Sequence, residues 1–231
     1  MKKFFTIAIL TASLLFAGQV SAQHIHAGYS PEVWATGSNS INLNSFFLGV
    51  DYNMPVSGAL NLSVGGQLRY GTESGESSFY GLASGKHTTT LVGIDVPLLF
   101  NYTIAPSSQI SFTLFAGPKL SYTFMGKTKY EGNVLGLGGT TERDWFGDNA
   151  GDLNLKPFNV SATFGLALGF QQFQLFGGYN YGLLDVDNSD NSTTKISGPF
   201  FGLGFNLYST HITQVSGHTG KSVWPLFFAR K

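Results

Sequence analysis

Ile110-Ser111-Phe112-Thr113-Leu114-Phe115-Ala116-Gly117-Pro118-Lys119-Leu120-Ser121-Tyr122-Thr123-Phe124 is the stretch that decides the fold. Every even position in it is apolar, while the odd positions are mostly small or polar. Side chains of a β-strand alternate between its two faces, so this spacing describes one long strand with an oily face. At about 3.3 Å per residue the strand is long enough to cross a bilayer even when tilted. Similar stretches recur along the chain. A sheet in hydrocarbon must close on itself, because edge N–H and C=O groups have no water to bond there.

Working outward from this strand, the alternation predicts eight strands, at 24–35, 43–54, 58–70, 88–104, 109–125, 157–170, 172–184 and 195–208. The connections alternate in length. Those at 53–58, 105–108 and 171–172 are short, whereas 36–42, 71–87, 126–156 and 185–194 are long and polar. Short turns at one end and long loops at the other mark an outer-membrane barrel, whose long loops face outward. The fold class expected is therefore all-β, an eight-stranded antiparallel transmembrane up-and-down barrel with short periplasmic turns. Its lipid face is set by phase, with Phe46, Leu48, Val50 and Tyr52 on one strand and Val92, Ile94, Val96, Leu98, Phe100 and Tyr102 on another.

Composition agrees with this reading. Charged residues make up only 11% of the chain, against about 25% in soluble domains, and aromatics reach 15%, with 21 Phe. The N-terminus reads as a secretory signal, with Lys2 and Lys3, an apolar stretch over 4–17 and the small-residue site Val20-Ser21-Ala22. The expected organisation is a signal peptide at 1–22, a barrel at 23–208 and a periplasmic tail at 209–231. Cysteine is absent, which excludes disulfides, thiolate metal sites, a cysteine nucleophile and a lipidated cysteine. Without Lys2 and Lys3 the chain, with 13 basic and 13 acidic residues in all, turns slightly acidic. It has no basic stripe to neutralise phosphates, so nucleic acid is not an expected partner.

Four charges interrupt the small, polar face at mid-strand: Asp51, Arg69, Asp95 and Lys119. A charge facing lipid costs several kcal/mol, so each is expected inside the barrel and paired. Asp51 and Arg69 fall on one pair of neighbouring strands, Asp95 and Lys119 on the next. An internal salt-bridge plug is favoured over a proton or ion path, because side chains just fill an eight-stranded interior. Pro97 and Pro118 each remove a ladder donor, and local bulges are expected at them.

The segment Gly93-Ile94-Asp95-Val96-Pro97-Leu98-Leu99-Phe100-Asn101-Tyr102 resembles the apolar-x-I-P-L-L-x-x-Y strand of the PorT-like outer-membrane β-barrel proteins. Ala116-Gly117-Pro118-Lys119-Leu120-Ser121-Tyr122, Tyr179-Asn180-Tyr181-Gly182-Leu183 and Gly202-Leu203-Gly204-Phe205-Asn206-Leu207-Tyr208 extend the likeness over nearly the whole barrel. The resemblance implies an eight-stranded barrel with an envelope role. The founding member of that family is linked to a protein-secretion and gliding apparatus, and the family supplies no catalytic motif. This chain departs from the pattern in continuing 23 residues past Tyr208, where such barrels commonly stop.

Five segments are candidates for chemistry or contact. The tail carries Lys221, Arg230 and Lys231, no acidic residue, and the aromatic cluster Trp224-Pro225-Leu226-Phe227-Phe228, which makes Trp224, Phe227 and Phe228 a candidate periplasmic contact. In the longest loop, Arg143, Trp145 and Phe146 form a candidate outward contact, since exposed Trp and Arg are common binding anchors. Asp185-Val186-Asp187-Asn188-Ser189-Asp190 concentrates carboxylates but lacks the glycine and distal glutamate of a calcium loop. His24-Ile25-His26 places two imidazoles on one face of the first strand, too few ligands for a metal unless a third arrives. Ser84 and His87 lie near the outer end of the fourth strand, where a lipid A-remodelling enzyme of this topology would carry its nucleophile and base.

These observations favour a non-enzymatic outer-membrane barrel with a structural, assembly or secretion-associated contact role, and neither a cofactor nor a metal is expected. Its expected surroundings are outer-membrane lipid and lipopolysaccharide, with an envelope protein met through the tail. A lipid A-remodelling enzyme and a small diffusion pore are the alternatives, and a soluble lipocalin-like barrel is the rival at the level of fold.

Overall fold

The computed structural model describes residues 24–36, 39–79, 83–134, 137–146, 153–188 and 193–207. It contains the strands β1 (His24–Thr36), β2 (Asn39–Ser57), β3 (Leu60–Phe79), β4 (Ala83–Ile104), β5 (Ile110–Val134), β6 (Leu137–Asp144), β7 (Phe158–Phe170), β8 (Phe173–Gly182) and β9 (Thr194–Asn206). Each neighbouring pair is antiparallel. The sheet runs β4-β3-β2-β1-β9-β8-β7-β5, and β4 also pairs with β5, so eight strands close into a ring. Closure leaves no open edge across the hydrocarbon, which is what a spanning sheet requires.

The alternation in the sequence sets the two faces. Phe112 and Leu114 on β5, Phe46 and Leu48 on β2, and Phe201 and Leu203 on β9 project outward, while Asp95, Arg69 and Ser45 project inward. Aromatic residues cluster on the outer wall, as in Phe173 with Phe205 at the short-turn end and Tyr29 between Phe46 and Phe201. Such girdles suit the membrane interfaces. At the short-turn end, β2 and β3 are joined by Gly58-Ala59, and Gly58 takes a φ of 54° that glycine adopts without Cβ strain.

Three expectations change. The segments read as loops 71–87 and 126–156 contain paired strand: β3 and β4 continue to Phe79 and Ala83, and β5 runs on to Val134 before β6 returns along it. The prolines are not bulged. Register is unchanged on either side of Pro97 and Pro118, with pairing interrupted at Leu98 and Leu99 opposite Gly117 and Pro118. Pairing with β3 is likewise interrupted at Val96 and Pro97 opposite Gly66 and Gly65, and losing two rungs on each side, with register kept, is enough to absorb the missing donors. The β4–β5 irregularity lies instead between Val92 and Gly93, opposite Phe124 and Met125, both of which face outward. One extra residue there reverses the phase, so beyond it the even residues Gly126 and Thr128 point inward.

Candidate functional site: the lumen and the outer ribbon

The lumen is layered along the barrel axis. At its middle, Arg69 reaches across from β3 to two carboxylates: its Nη1 donates to Glu32 Oε1 and Oε2 at 3.2 and 3.0 Å, and its Nε donates to Asp95 Oδ1 at 3.3 Å. Nη2 donates to Thr123 Oγ1 at 3.1 Å. Asp95 has no exposure at all and also accepts from Gln67 Nε2 at 2.8 Å, with Lys119 Nζ at 3.9 Å from its second oxygen. A planar guanidinium with several donors is suited to hold two carboxylates at once.

The structure brings Arg69, Asp95 and Lys119 together but does not join Asp51 to Arg69. Asp51 lies nearer the short turns and faces His24 and His26 of β1. Glu32, the second carboxylate on Arg69, is not among the residues singled out by the sequence. Its even position on β1 marks it as inward-facing, which was the available signal.

Toward the long-loop end the lumen is apolar. Trp34, Leu43, Leu91, Trp145 and Val186 form a buried cluster, with Phe146, Leu153, Leu155 and Ile196 packed against it. The Trp34 and Trp145 rings meet edge-on at 4.8 Å. Trp145 Nε1 donates to Thr128 Oγ1 at 2.9 Å, and Trp34 Nε1 donates to Glu32 Oε2 at 3.3 Å, which ties this plug to the ionic layer below. The expected outward contact is therefore corrected in part. Trp145 is 1% exposed and Phe146 packs beside it, because the chain after β6 folds back over the mouth and is held by Trp145 N to Gly126 O and Leu155 N to Trp145 O. Arg143 stays exposed, with its guanidinium over the Tyr130 ring at 5.9 Å.

Toward the short turns the lumen opens into a cavity of about 1420 Å³. One wall is polar, with Asp51, Gln67 and Asn101; the other carries Phe47, Phe176, Phe200 and Phe115 in a chain of ring contacts at 6.1 to 6.4 Å. These inward phenyls have small partners. A Cβ at Gly202 would lie 2.5 Å from Phe176 Cζ, and one at Gly165 would lie 2.5 Å from Phe115 Cζ. The rings thus lie flat against the wall over glycines of the next strand and leave the space open.

Beyond the barrel rim, the outer halves of β3, β4 and β5 stand with β6 as a four-stranded ribbon. It carries interleaved charge: Glu73 with His87 at 3.1 Å, Glu76 with Lys86 at 3.5 Å, Lys129 with Glu131 at 2.5 Å, and Lys127 with Glu142. Lys127 is raised by its bond to Glu142. Ser84 and His87 fall on opposite faces of β4, and the imidazole is bonded to Glu73. In the loop after β8, the amides of Asp187 and Thr194 donate to Asp185 Oδ1 at 3.0 and 2.8 Å, which holds its carboxyl below the usual carboxylate range. The candidate tail contact, Trp224, Phe227 and Phe228, lies outside the described residues, as do the signal segment and Asp190.

Residues 18–188 match the family model described as outer membrane protein beta-barrel domain. Among solved structures, the chain is similar to the attachment invasion locus protein Ail of Yersinia pestis, crystallised with the heparin analogue sucrose octasulfate: 18% identity over 79% of this chain and 96% of that one, with a TM-score of 0.39. It is also similar to Neisserial surface protein A, at 12% identity over 80% and 97% with a TM-score of 0.39, and to the outer membrane enzyme PagL, at 15% over 78% and 99% with a TM-score of 0.39. No curated protein sequence matches the chain.

Proposed function

The chain belongs to the outer membrane protein beta-barrel domain family and resides in the outer membrane, and from that premise we propose that it is a non-enzymatic, PorT-like barrel serving envelope assembly or secretion through contacts made outside its lumen. The observation that carries this reading is the division of the molecule into a closed lumen and an extended polar ribbon. Trp34, Trp145 and the Arg69 cluster block the lumen on the side of the long loops, while the ion pairs of β3 to β6 lie on the ribbon beyond the rim. A charged ribbon projecting past the bilayer has no part in spanning it, and interleaved charge is suited to recognising a complementary surface. The PorT-like assignment rests on the strand motifs around Asp95 and Lys119, whose charges meet in the lumen. Lipid and lipopolysaccharide surround the barrel, Arg143 is the outward anchor, and the tail residues Trp224, Phe227 and Phe228 supply the periplasmic contact. Against a lipid A-remodelling enzyme stands the placement of Ser84 and His87 on opposite faces, since a nucleophile needs its base within hydrogen-bond reach.

The test places a photo-crosslinking residue at Arg143 and, separately, at Trp224 in living cells, with lipid-facing Leu203 as the control. A discrete envelope-protein adduct from either position but not from Leu203 is expected, alongside an unchanged lipid A mass spectrum on deletion of the gene. A lipid A species that changes on deletion, and is restored by the native chain, would overturn the reading in favour of an enzyme.

A further inference from the structure

We propose that His24, His26 and Asp51 form a binding site for a divalent transition-metal ion, open to the periplasmic cavity. Strand periodicity puts both imidazoles of His24-Ile25-His26 on the lumen face, and Ile25 between them points outward. The third ligand, which the first strand cannot supply alone, comes from β2: Asp51 is the register partner of His24. Its Oδ2 lies 3.2 Å from His24 Nδ1 and 2.9 Å from His26 Nδ1, and one donor atom from each of the three residues falls within 4.8 Å of the others. Zinc bonds nitrogen and oxygen at about 2.0–2.2 Å, which separates neighbouring ligands by roughly 3.4 Å in a tetrahedron, so an ion between these groups needs the two imidazoles to draw back from Asp51 by a few tenths of an ångström.

The hydrogen-bond network gives the stronger argument. Asp95 is held by Arg69 and accepts from Gln67 Nε2, which fixes that amide with its oxygen turned to His26. Gln67 Oε1, 3.2 Å from His26 Nε2, can only accept, so the ring proton of a neutral His26 belongs on Nε2. His26 Nδ1 is then a bare lone pair, buried and without a hydrogen-bond partner, facing a carboxylate oxygen that also only accepts. Two acceptors pressed together call for a cation between them, either a metal ion or a second proton on His26. Gln67 also acts as the outer partner that orients a ligating imidazole, an arrangement common around metal-bound histidines.

The surroundings fit an ion with an exchangeable position. All three residues line the large cavity, which also reaches the short turns at Gly58 and Gln171, so water can complete the coordination and the ion has an entry path. Two imidazoles and one carboxylate favour zinc, nickel or copper over calcium or magnesium, which take oxygen donors. The rings are accommodated by glycines: a Cβ at Gly204 would lie 1.9 Å from His24 Nε2, and one at Gly49 would lie 2.5 Å from His26 Nε2.

The full chain folded in detergent micelles is titrated with Zn²⁺ by calorimetry and, separately, with Co²⁺ by visible absorption. One Zn²⁺ per chain is expected, with Co²⁺ giving the intense bands of a four-coordinate nitrogen and oxygen site. His26→Ala and Asp51→Asn should each weaken Zn²⁺ at least tenfold, while His87→Ala on the outer ribbon changes nothing. Gly204→Ala keeps all three ligands but displaces His24 and should also weaken binding. The mobility shift of unboiled samples checks that each variant is folded. Absence of saturable binding and of the cobalt bands in the native chain, or equal binding by His26→Ala and Asp51→Asn, would overturn the site and leave a proton as the cation between the two groups.

Discussion

Arg69 is bonded to more acceptors than one salt bridge supplies, and this determines what its loss does. Glu32 and Asp95 both depend on it, and both are buried. Arg69→Ala leaves two carboxylates without their main counter-charge inside the barrel, a change of ~3–5 kcal/mol in stability by analogy with other broken buried pairs. Replacing Arg69→Met, Glu32→Gln and Asp95→Asn together should cost less than Arg69→Ala alone, because neither buried carboxylate is left charged and Lys119, which loses Asp95, reaches the open cavity. Urea unfolding in micelles, followed by tryptophan fluorescence, measures both; a triple variant less stable than the single one would contradict the argument. The sequence placed Asp51, Arg69, Asp95 and Lys119 on the inward face but left Glu32 out and set Arg69 beside Asp51, which instead faces His24 and His26. Face is a local property, read from alternation within one strand. Level along the axis depends on the stagger accumulated from strand to strand around the ring, and that brings Glu32 of β1 beside Arg69 of β3 although β2 separates them.

At the scale of elements, the barrel strands were legible and the outer ribbon was not. The eight spanning strands differ from their expected bounds mainly at the long-loop end, where pairing continues past the apolar alternation. On β5 the alternation ends at Phe124 because Met125 also faces outward, and the strand then runs on through charged residues and Gly132. Glycine and charge normally signal a loop, but β4 and β6 flank this stretch and pair it on both sides. The return from β6 makes Trp145 a plug rather than an anchor, so its substitution has a specific consequence. Trp145→Ala removes the ring packed on Trp34 and leaves Thr128 without its indole donor, and should lower stability by ~3–5 kcal/mol, as large-to-small core changes do. An exposed binding tryptophan would instead give a variant as stable as the native chain, and thermal unfolding monitored by near-ultraviolet circular dichroism separates the two cases.

Across the whole molecule, the apolar plug and the ionic layer lie in series above the cavity. Inward-facing glycines reconcile this with the narrowness of an eight-stranded barrel: where they occur, rings lie against the wall and space remains, and where Trp34, Leu43 and Leu91 point inward it is filled. Current through such a barrel requires both upper layers to open at once. The native protein, Trp145→Ala and Arg69→Ala should each show no steady conductance in planar bilayers, because in each at least one layer stays closed. The double variant Trp145→Ala/Arg69→Ala should conduct if its unboiled mobility shift shows a folded barrel. Steady conductance by the native chain would mean that the plug opens in the membrane, and the diffusion-pore reading would displace the contact role. Conductance by Arg69→Ala alone would show that the apolar layer does not seal and that the Arg69 cluster is the only barrier.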